Sequence, residues 1–120
     1  MKYLLDTHTF LWSLNADSRL TLGTRKIIRD KSIVVMLSII SVWEITIKVM
    51  SKKLKLDLPL PQLFKKLEYD ILPVTLEHVL ALVKLPPIHK DPFDRMLVAQ
   101  AKSEKLTLLT SDPKVQAYLP

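Results

Sequence analysis

The chain has 120 residues, with 18 Lys and Arg against 12 Asp and Glu, a formal charge of +6, one Gly, eight Pro and no Cys. Gly23 alone can build none of the turns that cradle phosphate, bind a dinucleotide or present a nucleophilic serine, since each needs two or more glycines in fixed register. The lack of Cys removes thiol nucleophiles, thiolate metal sites and disulfides, so the fold rests on its core.

Lys2 to Leu5 is expected to form a short buried strand that ends at Asp6. Thr7 to Asn15 follows as a helix with Phe10, Leu11 and Leu14 in helical spacing, and a second helix runs from Thr21 to Asp30. Ile33 to Leu37 is a continuous β-branched and aliphatic run, the pattern of a strand buried on both faces of a parallel sheet. Ser38 and Ser41 open a helix reaching about Lys53, apolar on nearly every side and so expected to be covered all round, with Trp43 in the core. Leu54 to Pro61 is a connection that ends in a helix start near Pro61, and Ile71 to Val74 is a third strand. Thr75 caps a helix from Leu76 to about Leu85, stopped by Pro86 and Pro87. Asp91 and Pro92 start a helix from Phe93 to Lys105, Leu106 to Thr110 is a strand, and Asp112 with Pro113 begins a last short helix. Strands that alternate with helical crossovers predict an α/β fold, a three-layer α/β/α sandwich around a central parallel sheet of four to five short strands.

The length fits one domain over residues 1–120. The richest apolar stretch, Ile33 to Trp43, is interrupted by Ser38 and Ser41 and falls well short of the roughly 20 residues a membrane span needs. Asp6 cuts the run Tyr3 to Leu5 too early for a signal peptide. A cytoplasmic protein with no membrane partner is expected, and its positive charge favours a polyanion.

In parallel α/β sheets ligands bind beyond the carboxyl ends of the strands, and here the residues at those ends are acidic. Asp6 follows the first strand, Glu44 lies one to two turns into the helix after the second, Asp94 is on the first turn of the helix before the fourth, and Asp112 follows the fourth. Carboxylates gathered so closely repel one another, and a hard divalent cation is the usual remedy. Each has a plainer account. Asp6, Asp91 and Asp112 have the form of helix N-caps, the last two followed by Pro. Ser41 and Glu44 fit a capping box, although the apolar run begins before Ser41 and so puts Glu44 inside its helix, where Lys48 one turn on rivals a metal as its counter-charge. Asp94 can point into the strand-end site if Asp91 caps, with Arg95 spaced to pair with Asp91. Thr110 and Ser111 supply hydroxyls next to Asp112, or simply an ordinary turn. His8, His78 and His89 share no metal-ligand spacing and are expected at the surface or in turns, with His8 close enough to Asp6 for substrate contact.

Four blocks carry a resemblance to a known family: YLLDTHTFLW at 3–12, SIISVWEITIK at 38–48, LPPIHKDPFDRMLVAQA at 85–101 and LTLLTSDP at 106–113. In order and spacing they resemble PIN-domain ribonucleases, most closely the VapC-type toxins of toxin-antitoxin pairs. The resemblance implies an acidic quartet at Asp6, Glu44, Asp94 and Asp112, binding Mg²⁺ or Mn²⁺ and hydrolysing RNA phosphodiester bonds with metal-activated water. Thr7, Thr110 and Ser111 are similar to the family's polar residues beside the first and last acids, and Asp91 to an outer contributor in a D-P-F-D-R subgroup pattern. It implies also a homodimer, a cognate antitoxin whose C-terminal segment lies across the site, and often a last edge strand after the final helix.

Basic residues are placed to attract the RNA. Lys48, Lys52 and Lys53 lead a lysine-rich stretch, and phosphate contacts of this kind carry little sequence information; solvated helix faces are the plainer reading. Trp12 is positioned to stack on bases. Phe10, Leu14, Leu20 and Ile27 are apolar residues on the early helices suited to a symmetric contact. A phosphotransferase of the haloacid dehalogenase kind also starts with a strand ending in Asp then Thr, but needs a second Asp where this chain has His8. A catalytically inactive PIN-fold RNA- or protein-binding domain is the remaining alternative, and retention of all four acids argues against it.

Overall fold

The computed structural model describes residues 2–120. Four strands, β1 (Lys2–Leu5), β2 (Val34–Ser38), β3 (Asp70–Leu72) and β4 (Thr107–Leu109), lie in the spatial order β3-β2-β1-β4. All pair in parallel, with Leu5 opposite both Leu37 and Leu109. Every return between parallel strands needs a crossover, and helices supply them. They are α1 (Thr7–Leu14) and α2 (Leu22–Arg29), then α3 (Ile39–Met50) and α4 (Leu60–Lys65), then α5 (Leu76–Ala81), a tight turn at Leu82–Lys84, and α6 (Pro92–Glu104). A short α7 (Pro113–Gln116) follows β4.

Alternation along the strands divides the core in two. Leu4, Leu72 and Leu108 face one side and pack with Ile40, Leu97, Val98, Val115 and Tyr118. Leu5, Val35 and Leu37 face the other, against Phe10 and Ile45, with Ile27, Leu54 and Phe64 closing over them. The sheet is thus the middle layer of three, as the sequence predicts. It has four strands among the described residues. After α7 the chain makes a turn and buries Tyr118 in the first core. No helix among the described residues is long and apolar enough to cross a membrane.

Several expectations are corrected by this packing. The helix α3 is covered on one side only: Ile40, Ser41, Glu44 and Ile45 are buried, whereas Ile39, Trp43, Ile47 and Met50 are exposed. A helix in an outer layer has no second layer above it, and apolar composition all round does not supply one. Trp43 is therefore 56% exposed, edge-on to Phe93 with ring centroids 5.2 Å apart, rather than core. The proposed symmetric contact fails for a related reason. Phe10 and Leu20 are buried, Ile27 is half-buried, and only Leu14 of that set is exposed.

His78 is also not at the surface; it is fully buried. Its Nδ1 accepts the Thr75 backbone N–H at 3.1 Å while the Thr75 hydroxyl accepts the His78 N–H, and its Nε2 meets Glu104 at 2.9 Å. Histidine thus takes the third position of a capping box, where glutamate or glutamine is the recognisable signature. Gln100 Nε2 lies 3.3 Å from the same Nδ1 and donates to the Pro73 carbonyl, and its Oε1 accepts from Ser38 Oγ, so the buried polar groups of this face satisfy one another.

Candidate metal centre

The strand order fixes where a ligand crevice opens. From β1 the chain builds outward through β2 to β3, then crosses back to place β4 on the other side of β1, and crevices form beyond the carboxyl ends of strands at such a reversal. Asp6 stands there at the end of β1, its backbone N–H donating to the Leu109 carbonyl of β4 at 3.1 Å. Thr7 Oγ1 donates to Ser41 Oγ at 3.0 Å and ties the start of α1 to the first turn of α3, which carries Glu44.

Three aspartates do cap helices, and capping is what aims them. Asp6 Oδ1 accepts the Thr9 N–H at 2.7 Å at the start of α1, Asp91 Oδ1 accepts the Asp94 N–H at 3.0 Å at the start of α6, and Asp112 Oδ1 accepts the Lys114 N–H at 2.9 Å at the start of α7. Each cap uses one carboxylate oxygen and holds the group in place. Capping and metal binding, alternatives in the sequence, are therefore compatible at Asp6 and Asp112. Thr110 accepts the Asp112 N–H at 3.1 Å and sets the turn, while Ser111 stays exposed. Arg95 does not pair with Asp91; it reaches the Pro86 carbonyl at 3.0 Å and the Tyr118 hydroxyl at 2.9 Å. Replacing Asp91 with Ala should cost about 1 kcal/mol, read as a lower urea midpoint at unchanged m-value.

The other two acids project from inside helices. Ser38, not Ser41, caps α3 by accepting the Ile40 N–H, which leaves Glu44 in the second turn, 3% exposed. Its Oε2 meets Lys48 Nζ at 2.8 Å, but its Oε1 is buried without a partner. An orphaned carboxylate oxygen is costly, and its cost falls when a cation binds. Burial above all pushes the Asp94 carboxyl up from its ordinary range; the hydrogen bond from His89 opposes this, and the negative charges of Asp91 and Glu44 add to it. The Glu44 charge is thus felt at Asp94.

His89 belongs to this site rather than to a plain surface turn. It is half-buried, with Nε2 2.9 Å from Asp94 Oδ2, and one ligand atom each from His89, Asp94 and Asp112 lie within 4.8 Å of one another. Asp6 and Glu44 stand outside that tight group. His89 sits in the loop before α6, at a spacing that matches no helical or strand pair, so only the fold of the loop brings it in. Two carboxylates and an imidazole within that distance form a donor set that fits a divalent ion.

A cleft of about 570 Å³ is lined by His8, Trp12, Arg19, Lys48, Lys53 and Lys55, with Asp17, Asp57 and several leucines; the acids and His89 of the candidate site do not line it, and Lys48, paired with Glu44, is the link between the two. The Arg19 guanidinium stands 4.9 Å over the Trp12 ring. Asp17 holds it there with two bonds, at 2.7 and 3.1 Å, and this pairing holds the Asp17 carboxyl down at about 2. Of the three predicted lysines, Lys48 and Lys53 line the cleft. Lys52 does not; it is exposed in a left-handed turn, φ 62°, where α3 ends.

The sequence matches the PIN domain family over residues 3–118. No curated protein matches it. Among solved structures the chain is similar to one in the crystal structure of VapBC2 from Rickettsia felis bound to a DNA fragment from their promoter, at 16% identity and a TM-score of 0.72, covering 99% of this chain and 94% of that one. At that identity the likeness is one of fold.

Proposed function

The chain belongs to the PIN domain family, and on that premise we propose that it is a Mg²⁺- or Mn²⁺-dependent endoribonuclease, the toxin of a toxin-antitoxin pair, acting as a single domain over residues 1–120 in the cytoplasm. The observation that carries the reading is the cluster of His89, Asp94 and Asp112, whose ligand atoms lie within 4.8 Å of one another, with the buried, unpartnered Glu44 Oε1 carrying a charge that is felt at Asp94. Asp6, Glu44, Asp94 and Asp112 are the residues that would hold the ion. A bound ion supplies an acidified water as nucleophile and offsets charge on the phosphate under attack. The caps at Asp6 and Asp112 keep those carboxylates from swinging away, and Lys48 keeps the buried Glu44 charge paired.

RNA follows the cleft. Arg19, Lys48, Lys53 and Lys55 draw its backbone, and the Trp12 ring backed by Arg19 offers a stacking surface. The likeness to VapBC2 supports a cognate antitoxin as partner. A homodimer belongs to the same reading, and the exposed apolar residues of α3, Trp43 and Met50, and of α5, Leu76 and Leu80, are each of the kind that protein contacts bury.

Purified protein is expected to cut RNA endonucleolytically when Mg²⁺ or Mn²⁺ is present, to stop in EDTA, and to resume when the ion is restored. Cleavage that persists in EDTA, or binding of RNA with no cleavage in any ion, overturns the assignment; the second result would mark an inactive binding domain.

A further inference from the structure

His89 brings an imidazole to a site otherwise made of carboxylates, and the surrounding structure holds it there. The His89 backbone N–H donates to the Tyr118 hydroxyl at 2.9 Å, and the same hydroxyl accepts from Arg95, which also binds the Pro86 carbonyl. The loop is thereby tied to α6, which carries Asp94, and to the segment after α7, the helix capped by Asp112. A histidine at the surface by chance has no such support. Outside the group of His89, Asp94 and Asp112, Glu44 Oε1 is buried and without a partner, and the Glu44 charge is felt at Asp94, which adds to the negative charge a cation there would offset.

We propose that a ring nitrogen of His89 is a metal ligand together with Asp94 and Asp112, and that it makes the site select a first-row transition ion over Mg²⁺. This rests on the metal-dependent reading above and adds the identity of the ion. Ligand atoms around an ion with bonds of about 2.1 Å stand roughly 3–4 Å apart, so the triplet, within 4.8 Å, closes on an ion by small inward movements of side chains. Mg²⁺ is hard, sheds water reluctantly and is served by carboxylates alone, whereas imidazole nitrogen favours transition ions. The competing role for His89 is to orient Asp94 through their 2.9 Å hydrogen bond, without touching the ion.

Mn²⁺ is the probe, because its electron spin reports directly bound nitrogen. In the full chain, pulsed electron paramagnetic resonance of bound Mn²⁺ should show nitrogen-14 modulation, and Mg²⁺ should displace Mn²⁺ only in large excess. His89→Gln keeps a donor toward Asp94 but has no imidazole; it should abolish the modulation and weaken Mn²⁺ binding about 10- to 100-fold while leaving Mg²⁺ binding nearly unchanged. Mn²⁺ bound by the unmodified chain without nitrogen coupling overturns the proposal and leaves the metal-dependent reading standing, as does an equal loss of both ions in His89→Gln. Failure of Mn²⁺ to bind while Mg²⁺ binds overturns the proposal alone; failure of both ions to bind removes the metal-dependent reading as well.

Discussion

Asp94→Asn should lower metal-dependent RNA cleavage by more than about 100-fold and at the same time raise the melting temperature of the metal-free protein. The two effects share a cause. Burial and the charges of Asp91 and Glu44 make the ionised Asp94 carboxylate unfavourable unless a cation offsets it. Its folded-state pKa lies above the unfolded value, so the folded protein binds that proton more readily. The penalty is fully present above the raised pKa and disappears as pH falls to the unfolded value. Asparagine removes the charge, keeps an acceptor for His89, and leaves the backbone N–H that Asp91 caps. Calorimetry in EDTA near neutral pH tests this. The variant should melt higher than the parent there, the gap should shrink at acid pH, and added Mn²⁺ should stabilise the parent more than the variant. A variant that melts several degrees lower would make Asp94 a structural residue instead.

Phe10→Ala should cost about 3–5 kcal/mol of folding stability, a large part of what a domain of this size has. Phe10 is fully buried, stacked on Phe64 with centroids 6.3 Å apart and edge-on to Tyr69 at 6.2 Å, so it joins α1 to the α4 region across the second core. Urea unfolding measures the loss. A change under about 1 kcal/mol would mean that Phe10 does not anchor the second core.

The layers were legible because buried parallel strands are continuous apolar runs. Ile33 to Leu37 announces β2 to within a residue, and Pro, Asp and Thr mark helix starts at α5, α6 and α7. The acids were legible by position, since a strand-end carboxylate needs no knowledge of packing to be suspected. What sequence could not supply was which side of α3 meets the sheet, because its apolar residues run round the whole helix and only the sheet's position leaves Trp43 and Met50 outside. Nor could it supply the histidines. His78 is buried because it completes a cap with an uncommon residue, and His89 reaches the acids because Tyr118, 29 residues away, fixes its loop.

The acids also differ in what their loss means for the rest of the chain. Asp6 and Asp112 each hold a helix start, so a change there damages the scaffold along with any part in the proposed activity. Asp94 caps nothing, and neutralising it relieves repulsion. On the proposed function, the shortest mutational escape for a cell burdened by that activity, one that still yields an abundant, folded protein, runs through Asp94. Such a protein could keep its partner-binding surfaces after its chemistry is gone.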